Sequence, residues 1–250
     1  MKPKLAKPAP AVEEDTRPVI AVAIPTHEMC PSTFAFDFAK LMAFSTLILG
    51  DKVRFVIHYV SGTYIHKARQ QLIEEAQRDG ADYLLWLDSD MRFPKDALIQ
   101  LLNREKDLIG INYSTRNVPP RFVAIKQRTK FADGGVLVPG EVCPTWEDSA
   151  GVEEVDAIGF GLVLMRMSII DKMPRDKPFF FYEWSPETGQ LHVGEDVWFC
   201  AMAKDAGHQI FIDHDLSHQC AHTGSLEYKL EHAQDFTKHQ QEEDDGADQL

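Results

Sequence analysis

Strand-like and helix-like segments alternate along the first half of the chain. Apolar runs rich in β-branched and aromatic residues, which are the predicted strands, cover residues 19–24, 53–60, 83–87 and 107–113. Segments with helical spacing lie between them, at residues 32–49, 64–78 and 95–102. Because parallel strands need crossover connections, which are usually helices, this alternation predicts an α/β sandwich with a mainly parallel central sheet. After residue 114 the pattern loosens, and shorter strands are predicted near residues 122–127, 135–138 and 155–165.

The third predicted strand, Tyr83–Leu87, is an apolar run that stops at Asp88-Ser89-Asp90. If the chain stays extended, both aspartates project to the same side. Two close carboxylates repel each other, and a divalent cation such as Mg²⁺ or Mn²⁺ would offset that repulsion. Ligands of open α/β sheets bind beyond the carboxyl ends of the strands, where these aspartates fall. The segment therefore predicts a metal site, the alternative being a solvated turn with Asp90 as a helix cap.

The length and charge of the chain limit its organisation and its partners. A chain of 250 residues, of which 44% are hydrophobic, can bury one large core, and we expect a single domain over residues 18–228. Residues 1–17, rich in Lys, Pro and Ala, are a predicted flexible tail, and residues 229–250 a polar, acidic one. The net charge of −13 argues against general nucleic-acid binding, which needs a basic surface.

The cysteines and the apolar segments bear on where the protein is found. The four cysteines are scattered, with no Cys-x-x-Cys pair and no secretory signal ahead of them, so a reduced, cytoplasmic location is expected. No membrane span is expected either. The segment Phe34–Leu49 comes closest, but Asp37 and Lys40 interrupt it, and it is predicted to be a well-buried helix.

A second acidic cluster, Glu195-Asp196, directly precedes a helix-like segment that ends near Gly207. Acidic side chains in the first turn of a helix interact favourably with the helix dipole and cap its free amides. A carboxylate at this position is equally suited to act as a general base towards an acceptor hydroxyl. The sequence leaves both interpretations open.

A third cluster contains His214, His218 and His222. Their spacing of four would place them on one helical face and is compatible with zinc. The intervening residues fit a strand and a loop at least as well. A single histidine that meets the cation held by Asp88 and Asp90 is the more economical hypothesis.

In order and context these clusters resemble the family-2-like glycosyltransferases of the GT-A fold. The resemblance covers roughly residues 18–228 and rests on six motifs in the same order: Ile24-Pro25-Thr26, Ala68-Arg69, Asp88-Ser89-Asp90, Gly159-Phe160-Gly161, Glu195-Asp196 and His222-Thr223-Gly224. One departure is Gln70, where the family often has Asn after the arginine.

The resemblance implies a GT-A (Rossmann-like) α/β/α sandwich and a metal-dependent glycosyltransferase, of the hexosyltransferase type. The donor would be a nucleoside-diphosphate sugar, a UDP-sugar by preference, and the cofactor Mn²⁺ or Mg²⁺. Asp90 and His222 would be the main metal ligands, and Asp88 would bind the metal or the ribose through water. Asp196 would be the catalytic base, with Glu195 in reserve, and Gly159-Phe160-Gly161 would border the donor and acceptor sites.

The resemblance also implies where the nucleotide docks. Its base and ribose would meet Pro25 and Thr26, with Arg69 and the Asp88-Ser89 pair close by, and His27 is a further candidate for this pocket. Two other functions remain open. A sugar-phosphate nucleotidyltransferase would normally have a glycine-rich, basic loop after the first strand. A catalytically silent nucleotide-sugar-binding protein would keep the nucleotide site alone.

Loop arginines and a tryptophan supply weaker candidates. Arg116 and Arg121 flank a Pro-Pro pair and are able to reach phosphate, although a solvated loop arginine is the default. Trp184 is the best-placed tryptophan for stacking on a sugar ring. The alternative is a role in the core, which is the usual one for an aromatic residue. The acceptor is not defined by the sequence.

Overall fold

The structure is a computed structural model that describes residues 15–62, 64–126, 131–132, 136–137, 140–184, 189, 191–224, 227–235 and 237–238. Six α-helices lie wholly within these described residues: α1 (Ser32–Leu49), α2 (Ile65–Arg78), α3 (Ala97–Asn103), α4 (Ser168–Lys172), α5 (Glu195–Asp205) and α6 (His214–Ser217). A 3-10 turn, Gly50–Lys52, follows α1. The predicted tails fall largely outside the described residues.

Sixteen strands are assigned in the described residues: β1 (Val19–Thr26), β2 (Arg54–Ser61), β3 (Tyr83–Leu87), β4 (Met91–Arg92), β5 (Leu108–Gly110), β6 (Ile125–Lys126), β7 (Phe131–Ala132), β8 (Val136–Leu137), β9 (Glu141–Val142), β10 (Val152–Val155), β11 (Leu162–Arg166), β12 (Glu183–Trp184), β13 (Leu191–Val193), β14 (Ile210–Asp213), β15 (Ala221–Thr223) and β16 (Glu227–Tyr228). The predicted strand at residues 155–165 is interrupted, because β10 ends and β11 begins on either side of a glycine-containing turn.

Seven strands form the central sheet, in the order β10-β14-β5-β11-β3-β1-β2. Strand β1 pairs in parallel with β2 and β3, and β14 pairs in parallel with β5. Strands β11 and β10 run antiparallel to their neighbours. Five of the seven strands therefore point the same way, and the predicted α/β sandwich with a mainly parallel sheet is confirmed.

Strand β3 lies inside this sheet and is covered on both faces. Trp86 faces a core cluster that contains Leu72 of α2 and Phe199 of α5. Leu85 faces the opposite cluster, which contains Leu41 of α1. The two side chains of β3 and the three helix side chains named here are all fully buried. Burying a leucine contributes about 1.5–3 kcal/mol relative to leaving it exposed, so this apolar run fixes the strand in the middle of the sheet.

Helix α1 has the predicted boundaries, but the prediction that it is well buried is wrong. A helix that lies on a sheet buries only the stripe that contacts the sheet. The buried stripe of α1 contains Phe34 and Leu41, whereas Phe36, Leu47 and Ile48 are exposed by 68%, 77% and 47%. The outer face of α1 is therefore largely apolar and open.

The stretch Ser32–Lys52 satisfies the length and composition of a membrane span, and 22% of its most apolar window is buried. Helices that pack on a domain core satisfy the same criteria, so this is weak evidence. Asp37, one of the charges that interrupts the stretch, is buried and accepts a hydrogen bond from Arg92 Nε. The expected absence of a membrane span stays a prediction.

The packed part of the chain continues past residue 228. Residues 230–235 are helical, and Leu230 and Ala233 form a small buried cluster with Phe122. This contact covers the loop after β5, which lies close to the site described next.

Candidate functional site

A cavity of about 320 Å³ opens at the carboxyl ends of β1 and β3. Its lining includes ten residues that the sequence predicts for the site: Pro25, Thr26, His27, Arg69, Asp88, Ser89, Asp90, Glu195, Asp196 and His222. The remaining lining residues are Gly62, Ile65, Ala68, Tyr113 and Arg116. Residues separated by up to about 200 positions therefore meet at one edge of the sheet, which is where open α/β sheets bind ligands.

Backbone pairing beyond β3 brings His222 to the segment that carries Asp90. The Met91 N–H donates to the Asp88 carbonyl (3.1 Å), and the chain turns into the short strand β4. Strand β4 pairs antiparallel with β15, with His222 opposite Met91. The Thr223 N–H donates to the carbonyl of Asp90 at 2.7 Å. These bonds hold His222 beside Asp90.

The side chains of Asp90 and His222 face each other. Nε2 of His222 lies 3.4 Å from Oδ2 of Asp90. Nδ1 of the same ring lies 3.0 Å from the carbonyl oxygen of Ser114, which only accepts hydrogen bonds. Nδ1 therefore donates to this oxygen, which fixes the ring with Nε2 towards Asp90, the kind of orientation seen in metal-binding histidines. Oδ1 of Asp90 is buried without a hydrogen-bond partner. This pair suits a divalent cation.

Electrostatics keep Asp90 ionised. Burial acts to raise its pKa, but the hydrogen bond and charge of His222, together with the charge of Arg116, hold that pKa below its ordinary value. Among the residues that the structure describes, no group of three or more His, Cys, Asp or Glu side chains is arranged to hold a metal ion. A cation at Asp90 and His222 would take its remaining ligands from water or from phosphate, as Mg²⁺ commonly does.

Asp88 faces Arg69. Nη2 of Arg69 lies 2.9 Å from Oδ2 and 3.1 Å from Oδ1 of the carboxylate. Burial raises the pKa of Asp88 to about 7, even though the charge of Arg69 acts to lower it. The two aspartates that the sequence places on one side thus have different partners, and Arg69 takes the place of a shared cation for Asp88.

Arg69 links the two acidic clusters. It is 3% exposed, and its Nε lies 3.7 Å from Oε1 of Glu195. Its guanidinium lies over the rings of Phe160 and Phe180, at 5.2 and 5.8 Å from their centroids. Nε and Nη1 have no hydrogen-bond partner. An arginine packed on aromatic rings in this way is rigid and retains free donors for an anionic ligand.

Asp196 is held in the first turn of α5, as predicted, and its Oδ1 accepts a hydrogen bond from the Val197 N–H at 2.8 Å. Burial, followed by the adjacent charge of Glu195, raises the pKa of Asp196 to about 6. A carboxylate whose pKa lies near the working pH is a more effective general base than an ordinary aspartate.

The other two histidines of the third cluster lie away from the cavity. His214 is buried, with Nδ1 3.0 Å from the hydroxyl of Thr145 and Nε2 3.0 Å from Glu153. His218 contacts the carbonyl oxygen of Ser149. The three histidines therefore have separate partners, and only His222 lines the cavity.

Sequence reasoning missed Tyr113 and gave Arg116 little weight. Tyr113 is 7% exposed, and its ring centroid lies 5.2 Å from that of His222. Nη1 of Arg116 lies 3.0 Å from Oδ2 of Asp90 and donates to the carbonyl of Thr223 at 3.4 Å. A single tyrosine at the end of a predicted strand gives no signal in the sequence, whereas Arg116 was visible as a loop arginine.

The glycine-containing segment packs against residues that line the cavity. Gly159 and Gly161 are not among the described residues that line the cavity. A Cβ at Gly159 would lie 2.4 Å from the hydroxyl oxygen of Tyr113, and one at Gly161 would lie 2.9 Å from Sδ of Met91. The glycines make room for Tyr113, which in turn packs against His222.

Substituting Gly159 with alanine is expected to displace Tyr113 and to lower the free energy of unfolding by about 1–3 kcal/mol, the usual cost of overpacking. Urea denaturation measures this change. Gly62→Ala is the matched control, because a Cβ there meets nothing within 4 Å. Equal stabilities of the two variants would show that the ring of Tyr113 moves without cost.

No protein-family model matches the chain, and no curated protein matches it in a sequence search. Among solved structures, A197 from STIV superposes with a TM-score of 0.51 at 16% identity, over 82% of this chain and 85% of that one. This likeness shows a shared fold. The fold is of the Rossmann-like (GT-A) type.

Two more distant structures overlap with part of the chain. A Bacillus anthracis protein described as a glucose-1-phosphate thymidylyltransferase has a TM-score of 0.33 at 14% identity, over 65% of this chain and 76% of that one. HddC from Yersinia pseudotuberculosis, complexed with GMP-PN, has a TM-score of 0.31 at 14% identity, over 63% and 81%. Such partial overlaps give no information on the function of this chain.

Proposed function

We propose that the protein is a metal-dependent glycosyltransferase that moves a sugar from a nucleoside-diphosphate sugar to an acceptor hydroxyl. One observation carries the proposal: a single cavity contains a carboxylate–imidazole pair suited to a cation, a rigid buried arginine and a carboxylate with a raised pKa. The first two suit the donor diphosphate, and the third suits the acceptor.

Asp90 and His222 would hold Mn²⁺ or Mg²⁺. The bound cation would offset the charge that builds up on the departing diphosphate. Arg69 lines the same cavity, carries two donors without a hydrogen-bond partner, and would bind the donor. The base and ribose would lie against Pro25 and Thr26, at the end of β1, and a UDP-sugar is the first donor to test.

Asp196 would take the proton from the acceptor hydroxyl while that oxygen attacks the anomeric carbon of the donor sugar. The new bond forms between this oxygen and the anomeric carbon, and the bond from that carbon to the diphosphate oxygen breaks. The nucleoside diphosphate leaves with the electron pair. Glu195 keeps Asp196 basic through its adjacent charge.

A sugar-phosphate nucleotidyltransferase is the second candidate, since this fold type is used by both classes. Such an enzyme would need glycines and basic side chains after the first strand to cradle a triphosphate. Residues 25–30 contain neither glycine nor Lys or Arg. The cavity lining favours transfer of the sugar.

A screen of UDP-, GDP-, ADP- and dTDP-sugars with Mn²⁺ or Mg²⁺ tests the proposal. Release of the nucleoside diphosphate, slow with water and faster with an acceptor, is the expected result. Formation of a nucleotide sugar from a nucleoside triphosphate and a sugar 1-phosphate would support the second candidate. Binding without turnover of any donor would support a silent binding protein, and absence of both binding and turnover would refute the proposal.

Arg116→Ala is expected to change cation and nucleotide binding in opposite directions. Arg116 pairs with Asp90, so a cation must displace it, and its removal should tighten Mn²⁺ binding by up to about fivefold. Binding of UDP in the presence of Mn²⁺ should weaken by about 10- to 100-fold, because a charge-assisted hydrogen bond to phosphate is lost. Calorimetric titrations of Mn²⁺ alone and of UDP with Mn²⁺ measure both effects.

Arg121→Ala is the control, since Arg121 is an exposed arginine of the same loop and does not line the cavity. It should leave both titrations unchanged. If Arg116→Ala alters neither titration, Arg116 is a surface residue without a role in binding.

A further inference from the structure

A second cavity, of about 530 Å³, lies on the α2 side of the first. Pro178, Phe180 and Phe181 form one side of this aromatic cavity, and polar side chains of α2, among them His66 and Lys67, form the other. The Phe179 N–H donates to Oε1 of Gln70 at 3.0 Å, which fixes the 178–181 segment against α2. The aromatic cavity is thus built from two elements that are held together.

The two cavities share a wall. The ring of Tyr182 lies 5.2 Å from that of His66, between centroids. Burial and the nearby charge of Glu195 raise the pKa of the Tyr182 hydroxyl. Glu195 lines the first cavity, whereas His66 lines the second and directly follows Ile65, which lines the first. A ligand whose hydroxyl reaches the carboxylate next to Glu195 would extend past this wall into the aromatic cavity.

The lining of the aromatic cavity is mixed in a way that suits carbohydrate. Phe181 is 44% exposed, and its ring packs at an angle against that of Trp198, with centroids 5.2 Å apart. Sugar rings pack their C–H groups on aromatic rings, while their hydroxyls bond with amide and charged side chains. Gln71 and Lys67 provide such groups.

Nucleic acid is a weaker fit for the same cavity. Its bases also stack on aromatic rings, but binding depends on neutralising phosphates with a basic surface. The lining offers Lys67 and Arg78 against Glu74, and the chain as a whole has a net charge of −13. The lining therefore offers little net positive charge for phosphates, and its aromatic and polar side chains favour a neutral glycan.

We propose that the aromatic cavity binds the penultimate sugar residues of a carbohydrate acceptor, with the terminal residue beside Asp196 in the first cavity and the chain passing the Tyr182–His66 wall. The inference rests on the proposed function. It assigns the acceptor to the class of oligosaccharides of two or more residues, with Phe181 as the main platform.

The test uses single sugars and short oligosaccharides as probes. Methyl glucoside, methyl galactoside and N-acetylglucosamine are compared with maltose, cellulose and chitin oligomers, by calorimetry and by acceptor-dependent release of the nucleoside diphosphate. The expected result is that at least one oligomer series binds about tenfold or more tightly than its single sugar. Phe181→Ala should abolish this length advantage, whereas Phe181→Trp should retain it.

Phe36→Ala is the matched control, because Phe36 is an exposed aromatic residue on α1, in the opposite helix layer. Hydrolysis of the donor without acceptor should be the same in all four proteins, which separates this inference from the proposed function. Donor hydrolysis with no length advantage in any oligomer series would overturn the inference. Oligothymidylate binding that is lost in Phe181→Ala would overturn it in favour of nucleic acid.

Discussion

Asp196→Asn is expected to lower the rate of sugar transfer by about 100- to 10,000-fold, the usual contribution of a general base. Asparagine has nearly the same shape and can still accept the Val197 N–H, so the start of α5 should remain intact. Donor affinity should change little, because the cation pair lies at Asp90 and His222. Steady-state kinetics of nucleoside-diphosphate release, with donor binding measured separately, provide the test.

The pH dependence of transfer follows from the same residue. The carboxylate form of Asp196 is the active one, and burial with the charge of Glu195 raises its pKa to about 6. The rate should therefore be flat above this pH and fall about tenfold per pH unit below it. Glu195→Gln removes one cause of the raised pKa and should move the acidic limb to lower pH.

Two outcomes would contradict the role of Asp196. A loss of less than tenfold in Asp196→Asn would indicate that the residue only orients the acceptor, as expected of an enzyme that retains anomeric configuration. An acidic limb that stays in place in Glu195→Gln would assign the titration to another group. Glu183→Gln, a carboxylate change on β12 outside the cavity, controls for general effects of charge.

Local signals predicted most of the framework. The bounds of α1 and of β3 agree with the prediction, because a helix and a buried strand are both specified by patterns within a single segment. The exposure of Phe36 and Leu47 was not predicted, since composition alone does not say which face of an apolar helix meets the sheet. The position of β11, antiparallel between β3 and β5, depends on long-range pairing.

The sequence predicted which residues form the site better than it predicted the contacts between them. The three clusters named carboxylates and a histidine that do line one cavity. The sequence did not predict which of these side chains contact the arginines. Asp88 contacts Arg69, and Asp90 contacts Arg116 as well as His222. Each of these contacts joins residues that are distant in sequence, so no local pattern reports them.

Asp90→Asn is expected to abolish the stabilisation that Mn²⁺ and UDP together give the protein. A ligand at about 100 times its Kd stabilises the folded state by about 2.7 kcal/mol, which for a chain of this size is a rise in Tm of roughly 5–10 °C. Asparagine keeps the side-chain shape but removes the negative charge that a cation requires. Differential scanning fluorimetry, with and without both ligands, measures the shift.

The comparison must be made within each variant, because Asp90→Asn also breaks the ion pairs with Arg116 and His222 and changes the Tm of the free protein. His222→Ala should lose the same ligand-dependent shift, since it removes the other half of the pair. Asp51→Asn, in the exposed 3-10 turn after α1, should retain the full shift. A full shift in Asp90→Asn would mean that the cation binds elsewhere; then the unpartnered Oδ1 of Asp90 would need another explanation.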